Sequence, residues 1–205
     1  MADDRIAGAP LPAGSFSAWL TGMRRALDGV APSDVPCDGC TGCCRSSQFV
    51  HVGPDETDTL AHIPGELLFP APRMPAGNVL LGYDEKGHCP MLVDDRCSIY
   101  EHRPRTCRTY DCRVFPAAGL ALDDREKQAI AERARRWRFD FPDEDDRVRH
   151  AAVRAAAAHV HERMGVTDAT QRAVLAVRLH DEFLGPVEPI PETVRSSGVG
   201  SSDSP

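Results

Sequence analysis

Apolar residues recur every three or four positions over residues 15–28, directly behind a serine that can cap a helix. This pattern predicts one amphipathic helix over 15–28, with Trp19 on its packed face. The residues before it are rich in Ala, Gly and Pro, which favours a disordered leader over 1–14.

The same periodicity returns in the last part of the chain and predicts three further helices. The first extends over 124–139. The second begins at the acidic run 143–146 and ends near Arg163, so its charges complement the helix dipole at both ends. The third begins at a cap at 167–168 and stops before Gly185. We expect the core face of the second helix to be formed by Val148, Ala152, Ala155, Val160 and Met164.

Short apolar runs separated by Gly and Pro occupy the middle of the chain. They predict a short strand at 49–52, a helix that ends before Pro64, and a hairpin that pairs 79–83 with 91–93. Prolines are dense over 64–78, and this segment is predicted to be irregular.

These elements together predict an α+β fold. A small cysteine-rich module of loops and short strands, over 37–115, packs with a mainly helical part over 116–185 in a single domain spanning 15–185. Pro, Ser and Gly predominate after this domain, and they favour a disordered tail over 186–205.

The charge balance narrows the classes of function. With 24 basic and 31 acidic residues the net charge is −7, which argues against a nucleic-acid or anionic-membrane binder. The sequence contains neither an apolar run long enough to span a membrane nor a recognisable secretory signal. We therefore expect a cytoplasmic protein whose cysteines stay reduced, where closely spaced cysteines more often bind metal than form disulfides.

All eight cysteines lie in the cysteine-rich module, in two groups. Two residues separate each successive pair among Cys37, Cys40 and Cys43, a spacing that lets one turn direct several thiolates to a single point. Cys44 is adjacent to Cys43, so their side chains diverge and serve different ends. Spacers of seven, nine and four residues separate the second group. That group consists of Cys89, Cys97, Cys107 and Cys112.

Four thiolates complete either a tetrahedral zinc site or the shell of one iron–sulfur cluster. Eight thiolates can fill two such shells, and one centre could also draw thiolates from both groups. The spacing leaves open how the eight divide and whether they hold zinc or a 4Fe–4S cluster. His51, His88 or His102 could replace a thiolate as ligand.

Arginines are dense around the second cysteine group. Guanidinium groups would stabilise the negative charge of a thiolate-bound metal centre, although ordinary surface ion pairing explains any one of them equally well. Arg103 and Arg108 are the candidate cofactor-binding residues.

The pattern CxxCxxCC followed by CPxLxxxxCxIYxxRPxxCRxYxC resembles the cysteine-cluster family labelled a zinc- or iron-chelating domain (YkgJ-like), whose relatives include flagellin lysine N-methylases. The matching residues are Cys37, Cys40, Cys43, Cys44, Cys89, Pro90, Leu92, Cys97, Ile99, Tyr100, Arg103, Pro104, Cys107, Arg108 and Tyr110. The resemblance covers about 37–115 and implies metal chelation by these cysteines, with a looser connection to methyl transfer. Cys112 extends the pattern.

We therefore expect a metal-binding protein that holds an iron–sulfur cluster or zinc. Two alternatives stay open: a structural zinc module whose helices bind a protein partner, and a protein lysine methyltransferase of the flagellin methylase type with a protein substrate. The sequence lacks the common nucleotide-binding and hydrolase motifs GxGxxG, GxxxxGK(S/T), GxSxG and HExxH. Whether the protein is an enzyme stays open.

Overall fold

A computed structural model describes residues 8–37 and 39–185 and shows the predicted α+β fold. The strands are β1 (Leu11–Ser15), β2 (Val50–Val52), β3 (Leu68–Pro70), β4 (Val79–Leu81), β5 (Leu92–Val93), β6 (Arg96–Cys97) and β7 (Trp137–Asp140). The α-helices are α1 (Phe16–Leu27), α2 (Thr57–His62), α3 (Arg105–Thr109), α4 (Val114–Ala118), α5 (Gln128–Ala134), α6 (Glu144–Glu162) and α7 (Ala169–Leu179). Short 3-10 turns occupy Cys43–Arg45, Gly65–Leu67, Tyr100–His102, Arg125–Lys127 and His180–Phe183. Among the described residues, none of the helices combines the length and apolar character needed to cross a bilayer.

Helix α1 forms where the periodicity predicts it. The Ser15 hydroxyl accepts a hydrogen bond from the Ala18 backbone N–H at 3.4 Å and so caps the first turn. The inward face of the helix buries Phe16, Trp19 and Leu20 almost completely. This face is one wall of the larger of two hydrophobic cores.

The predicted leader over 1–14 is wrong for the residues that form β1, which pairs in parallel with β7 from Leu11 opposite Trp137 to Ser15 opposite Asp140. The predicted helix 124–139 is wrong beyond Ala134 for the same reason, because the chain there extends into β7. Neither strand has a local partner, so only the folded chain reveals the pairing. Residues 1–7 and the predicted tail 186–205 lie outside the described residues.

Helices α4, α6 and α7 pack with α1 around the larger core. Asp143 caps helix α6, because its carboxylate accepts the Asp146 N–H at 3.0 Å, as the acidic run predicts. Its buried face is shifted from the predicted one, because Val148, Ala155 and Met164 are exposed to solvent. The residues buried in their place include several alanines, which lack the bulk that would keep neighbouring helices apart. The buried face consists of Ala152, Val153, Ala156, Ala157 and Val160.

The cysteine-rich module has a smaller core of its own. Strand β4 lies between β2 and β3 in an antiparallel sheet, with Leu81 opposite both Val50 and Leu68. The predicted 79–83/91–93 hairpin is therefore wrong, and the segment 64–78 is not wholly irregular because it contains β3. A separate hairpin pairs β5 with β6, and this brings Cys97 opposite Leu92.

Candidate metal centre

A cavity of about 490 Å³ opens in the cysteine-rich module, and seven of the eight cysteines line it. The eighth, Cys112, borders a smaller adjoining cavity together with Cys37, Cys40 and Cys43. No disulfide links any of the eight. The structure thus gathers the two cysteine groups, which are distant along the chain, into one region.

Backbone hydrogen bonds bring the first cysteine segment to the second. The Cys40 N–H donates to the Cys37 carbonyl at 2.9 Å and closes a tight turn, and Gly39 occupies the left-handed region at φ +66° within it. The chain then enters the 3-10 turn at Cys43–Arg45, from which the Cys44 carbonyl accepts the Cys89 N–H at 2.8 Å. Cys43 borders both cavities, whereas Cys44 borders the larger one and not the smaller.

We group Cys44, Cys89, Cys97 and Cys107 as the second tetrad, because the charges of these thiols act on one another. Burial, followed by charge repulsion from Cys89 and Cys97, raises the pKa of Cys44 to about 12. Burial also raises the pKa of Cys107 to about 12, and charge repulsion from Cys89, Cys44 and Cys97 contributes to this increase. Three of the four also pack against the smaller hydrophobic core.

The remaining four thiols, Cys37, Cys40, Cys43 and Cys112, form the first tetrad. Burial raises the pKa of Cys112 to about 12, and Cys40 and Cys37 are the cysteines that act on it. Cys43 exposes part of its surface at the cavity. Its thiol is nevertheless surrounded by protein atoms, and this burial raises the pKa of Cys43 well above the ordinary value. The charges of Cys112 and Cys37 raise it further. The two tetrads lie side by side, because Cys40 and Cys37 also act, more weakly, on Cys44.

The raised pKa values keep the bare thiols of Cys43, Cys44, Cys107 and Cys112 protonated at neutral pH. A metal that binds them as thiolates must therefore displace protons. Once ionised, the crowded thiolates would repel one another unless a cation lay among them, so the arrangement is one that a bound metal would stabilise.

Arg103 lines the main cavity, as its prediction as a cofactor-binding residue requires. Its guanidinium carbon lies 3.5 Å from the centre of the Tyr100 ring, and its Nε is buried without a hydrogen-bond partner among the described residues. Burial raises the pKa of both Cys37 and Cys107, and the positive charge of Arg103 opposes this increase at each. Arg103 therefore acts on both tetrads.

Arg108 does not line the cavity, and its contact with a cofactor stays a prediction. Its Nη1 donates to the Arg103 carbonyl at 2.6 Å, and its Nη2 lies 3.8 Å from the carboxylate of Glu56. The side chain points to this buried carboxylate and supports the backbone that carries Arg103.

A buried polar network that the cysteine spacing does not indicate flanks Cys112. The Asp111 carboxylate accepts hydrogen bonds from the Trp19 indole N–H and the Ser33 hydroxyl, each at 3.0 Å, and it pairs with the guanidinium of Arg113 at 2.6 Å. Ser33 precedes Cys37 by four residues, so this network fixes the approach of the first cysteine segment to Cys112. Ordinary Asp and Arg residues beside a cysteine carry no sequence signal for such burial.

The three candidate histidines are engaged elsewhere, and none of them borders the cavity. His51 lies 2.8 Å from the Asn78 side-chain oxygen, His88 lies 3.5 Å from Arg45, and His102 lies 2.8 Å from the Asp58 carboxylate. Apart from the exposed carboxylate of Asp95, which pairs with Arg45, the donors around the cavity that suit zinc or iron are therefore thiols.

Comparison with known proteins agrees with this donor set. Residues 36–135 match the model of a family that carries the description "Putative zinc- or iron-chelating domain". This segment contains all eight cysteines and therefore both tetrads. No curated protein and no solved structure matches the chain.

Proposed function

Because residues 36–135 belong to the CxxCxxCC family of zinc- or iron-chelating domains, we propose that the chain holds two 4Fe–4S clusters, one on each tetrad, for transfer of single electrons. The observation that carries this proposal is the gathering of all eight thiols around two adjoining cavities, which share three of them. The thiols that act most strongly on one another then fall into two sets of four. Each group supplies the four thiolates that one cluster requires.

The spacing of the sulfurs supports clusters over zinc ions. Zinc bound at about 2.3 Å from each of four sulfurs brings every pair of them to about 3.8 Å. Within 8–37 and 39–185, no three cysteine sulfurs lie within 4.8 Å of one another. In a cluster, an iron atom stands between each thiolate and the rest of the core, so the sulfurs sit farther apart. The volume of the main cavity likewise exceeds what one ion needs.

The residues around the cavity suit a negatively charged centre, because they combine a positive charge with apolar side chains. Arg103 supplies positive charge at both tetrads, and its free Nε is a donor that a cluster sulfur can accept. Leu81, Met91 and Ile99 line the cavity beside the second tetrad and keep water from that side. A bound 4Fe–4S cluster would take up and release one electron at a time. The structural zinc module and the methyltransferase of the sequence analysis stay predictions.

Anaerobic purification of the full chain tests this proposal. We expect a brown protein with about eight iron atoms and about eight acid-labile sulfides per chain, as two 4Fe–4S clusters require. A colourless protein with about two zinc ions per chain would overturn the cluster assignment and keep the two tetrads. About four iron atoms per chain would overturn the assignment of a cluster to each tetrad.

The indole of Trp137 is expected to tune one of the two centres. Its Nε1–H donates to the Cys112 sulfur at 3.2 Å in a buried setting, and hydrogen bonds to cluster sulfurs stabilise the reduced state. Trp137→Phe should therefore lower the reduction potential of the first-tetrad cluster and leave that of the second unchanged, as followed by redox titration with electron paramagnetic resonance. The second-tetrad cluster of the same sample is the internal control, because the Trp137 N–H donates to Cys112 of the first tetrad. Equal potentials in wild type and Trp137→Phe would contradict this role.

A further inference from the structure

Two histidines and one aspartate meet on the surface of the cysteine-rich module, outside the lining of the cavity that holds the thiols. Asp58 and His62 lie four residues apart on α2 and so share a face of that helix. His102 belongs to the 3-10 turn Tyr100–His102, which packs against α2. One ligand atom from each of the three side chains lies within 4.8 Å of the other two.

The two imidazoles are held close to the same carboxylate. His102 Nδ1 lies 2.8 Å from Asp58 Oδ2, and His62 Nδ1 lies 3.8 Å from Asp58 Oδ1. The rings stack with their centres 3.5 Å apart and their planes 6° from parallel. The hydrogen bond from His102, followed by the charges of His102, His62 and Arg108, holds the pKa of Asp58 below its usual range. Its carboxylate is therefore anionic at neutral pH.

We propose that Asp58, His62 and His102 form a third metal site, which takes a divalent transition-metal ion through two imidazole nitrogens and one carboxylate oxygen. Two histidines and a carboxylate are a donor set of zinc and non-haem iron(II) sites, in which water or other ligands fill the open positions. The site is chemically distinct from the tetrads, because it offers no sulfur and favours ions with affinity for imidazole.

Binding requires a local adjustment that the structure permits. The lone pair of an imidazole nitrogen lies in the ring plane, so parallel rings do not point at a common ion, and at least one ring must turn about its Cβ–Cγ bond. Between 39% and 68% of the surface of each of the three side chains is exposed, which leaves room for this rotation. The ion then replaces the His102–Asp58 hydrogen bond and the bond of His62 Nδ1 to the Asp58 carbonyl.

Titration of the untagged, anaerobically purified protein with Ni²⁺ tests the site. We expect calorimetry to show one Ni²⁺ per chain at this site, with affinity at least tenfold weaker in His62→Ala and in His102→Ala. Asp58→Asn, which keeps the shape of the side chain and removes its charge, should weaken binding as well. His161→Ala is the matched control, because it removes an exposed histidine on α6 outside this group. Unchanged Ni²⁺ affinity in the His62→Ala/His102→Ala double variant, or no Ni²⁺ uptake by wild type, would overturn the proposal.

The same samples separate this site from the tetrads. Iron and sulfide contents of the histidine variants should equal those of wild type, and Ni²⁺ should bind without the intense charge-transfer absorption of nickel thiolates. If the wild-type protein contained no clusters while the histidine variants still lost Ni²⁺ binding, that result would refute the cluster proposal and support the third site. Ni²⁺ that binds only with thiolate absorption would refute the third site.

Discussion

Replacing Cys40 with serine is expected to remove about half of the bound metal and to leave the other half in place. Cys40 belongs to the first tetrad, and a neutral hydroxyl is a poor substitute for a soft thiolate as a ligand of iron or zinc. The second tetrad keeps all four of its thiols. Because the free energy of metal binding in such modules is also folding free energy, the loop around Cys37 should become sensitive to proteolysis. Metal and sulfide analysis of the purified variant measures the loss.

Cys107→Ser is the matched variant, because it removes one thiol from the second tetrad by the same substitution. It should also lose about half of the metal, and the Cys40→Ser/Cys107→Ser double variant should lose nearly all of it. Loss of all metal from either single variant would show that one shared centre draws on both groups. Full metal content in Cys40→Ser would exclude this cysteine from the ligands.

The cysteine spacing predicted the chemistry of the site, because two-residue steps and an adjacent pair have direct geometric consequences. The expected divergence of Cys43 and Cys44 is one of these consequences. The division into tetrads was not, since Cys112 joins Cys37, Cys40 and Cys43 only after the chain folds back. Loop spacers of seven or nine residues allow many closures of similar free energy, so spacing alone does not choose among them.

Local signals likewise predicted local elements. Helices α1 and α6 formed at their capping residues, Ser15 and Asp143, because capping and periodicity are properties of one short segment. Strands β1 and β7 escaped prediction, because each depends on a partner more than a hundred residues away. The contacts of Arg108 were not predictable for a related reason, because its charge suits a metal site equally well and only the folded chain places the buried Glu56 beside it.

Asp111→Ala is expected to cost about 3–5 kcal/mol in the free energy of unfolding, the usual effect of removing one partner from a buried ion pair. Asp111 and Arg113 are both almost completely buried. The alanine leaves the Arg113 guanidinium without its buried counter-ion and the Trp19 N–H without its acceptor. For a domain of this size the melting temperature should fall by on the order of 10 °C, which circular dichroism can follow.

Asp34→Asn is the matched variant for Asp111→Ala, because it removes an exposed carboxylate instead of a buried one from the partners of Arg113. Asp34 also pairs with Arg113, but 78% of its side-chain surface is exposed, so its loss should cost about 1 kcal/mol or less. Because Ser33 carries the chain toward Cys37 and also donates to Asp111, Asp111→Ala should lower metal occupancy of the first tetrad as well as stability. Equal melting temperatures for the two variants would show that the Asp111–Arg113 pair does not hold the first cysteine segment in place.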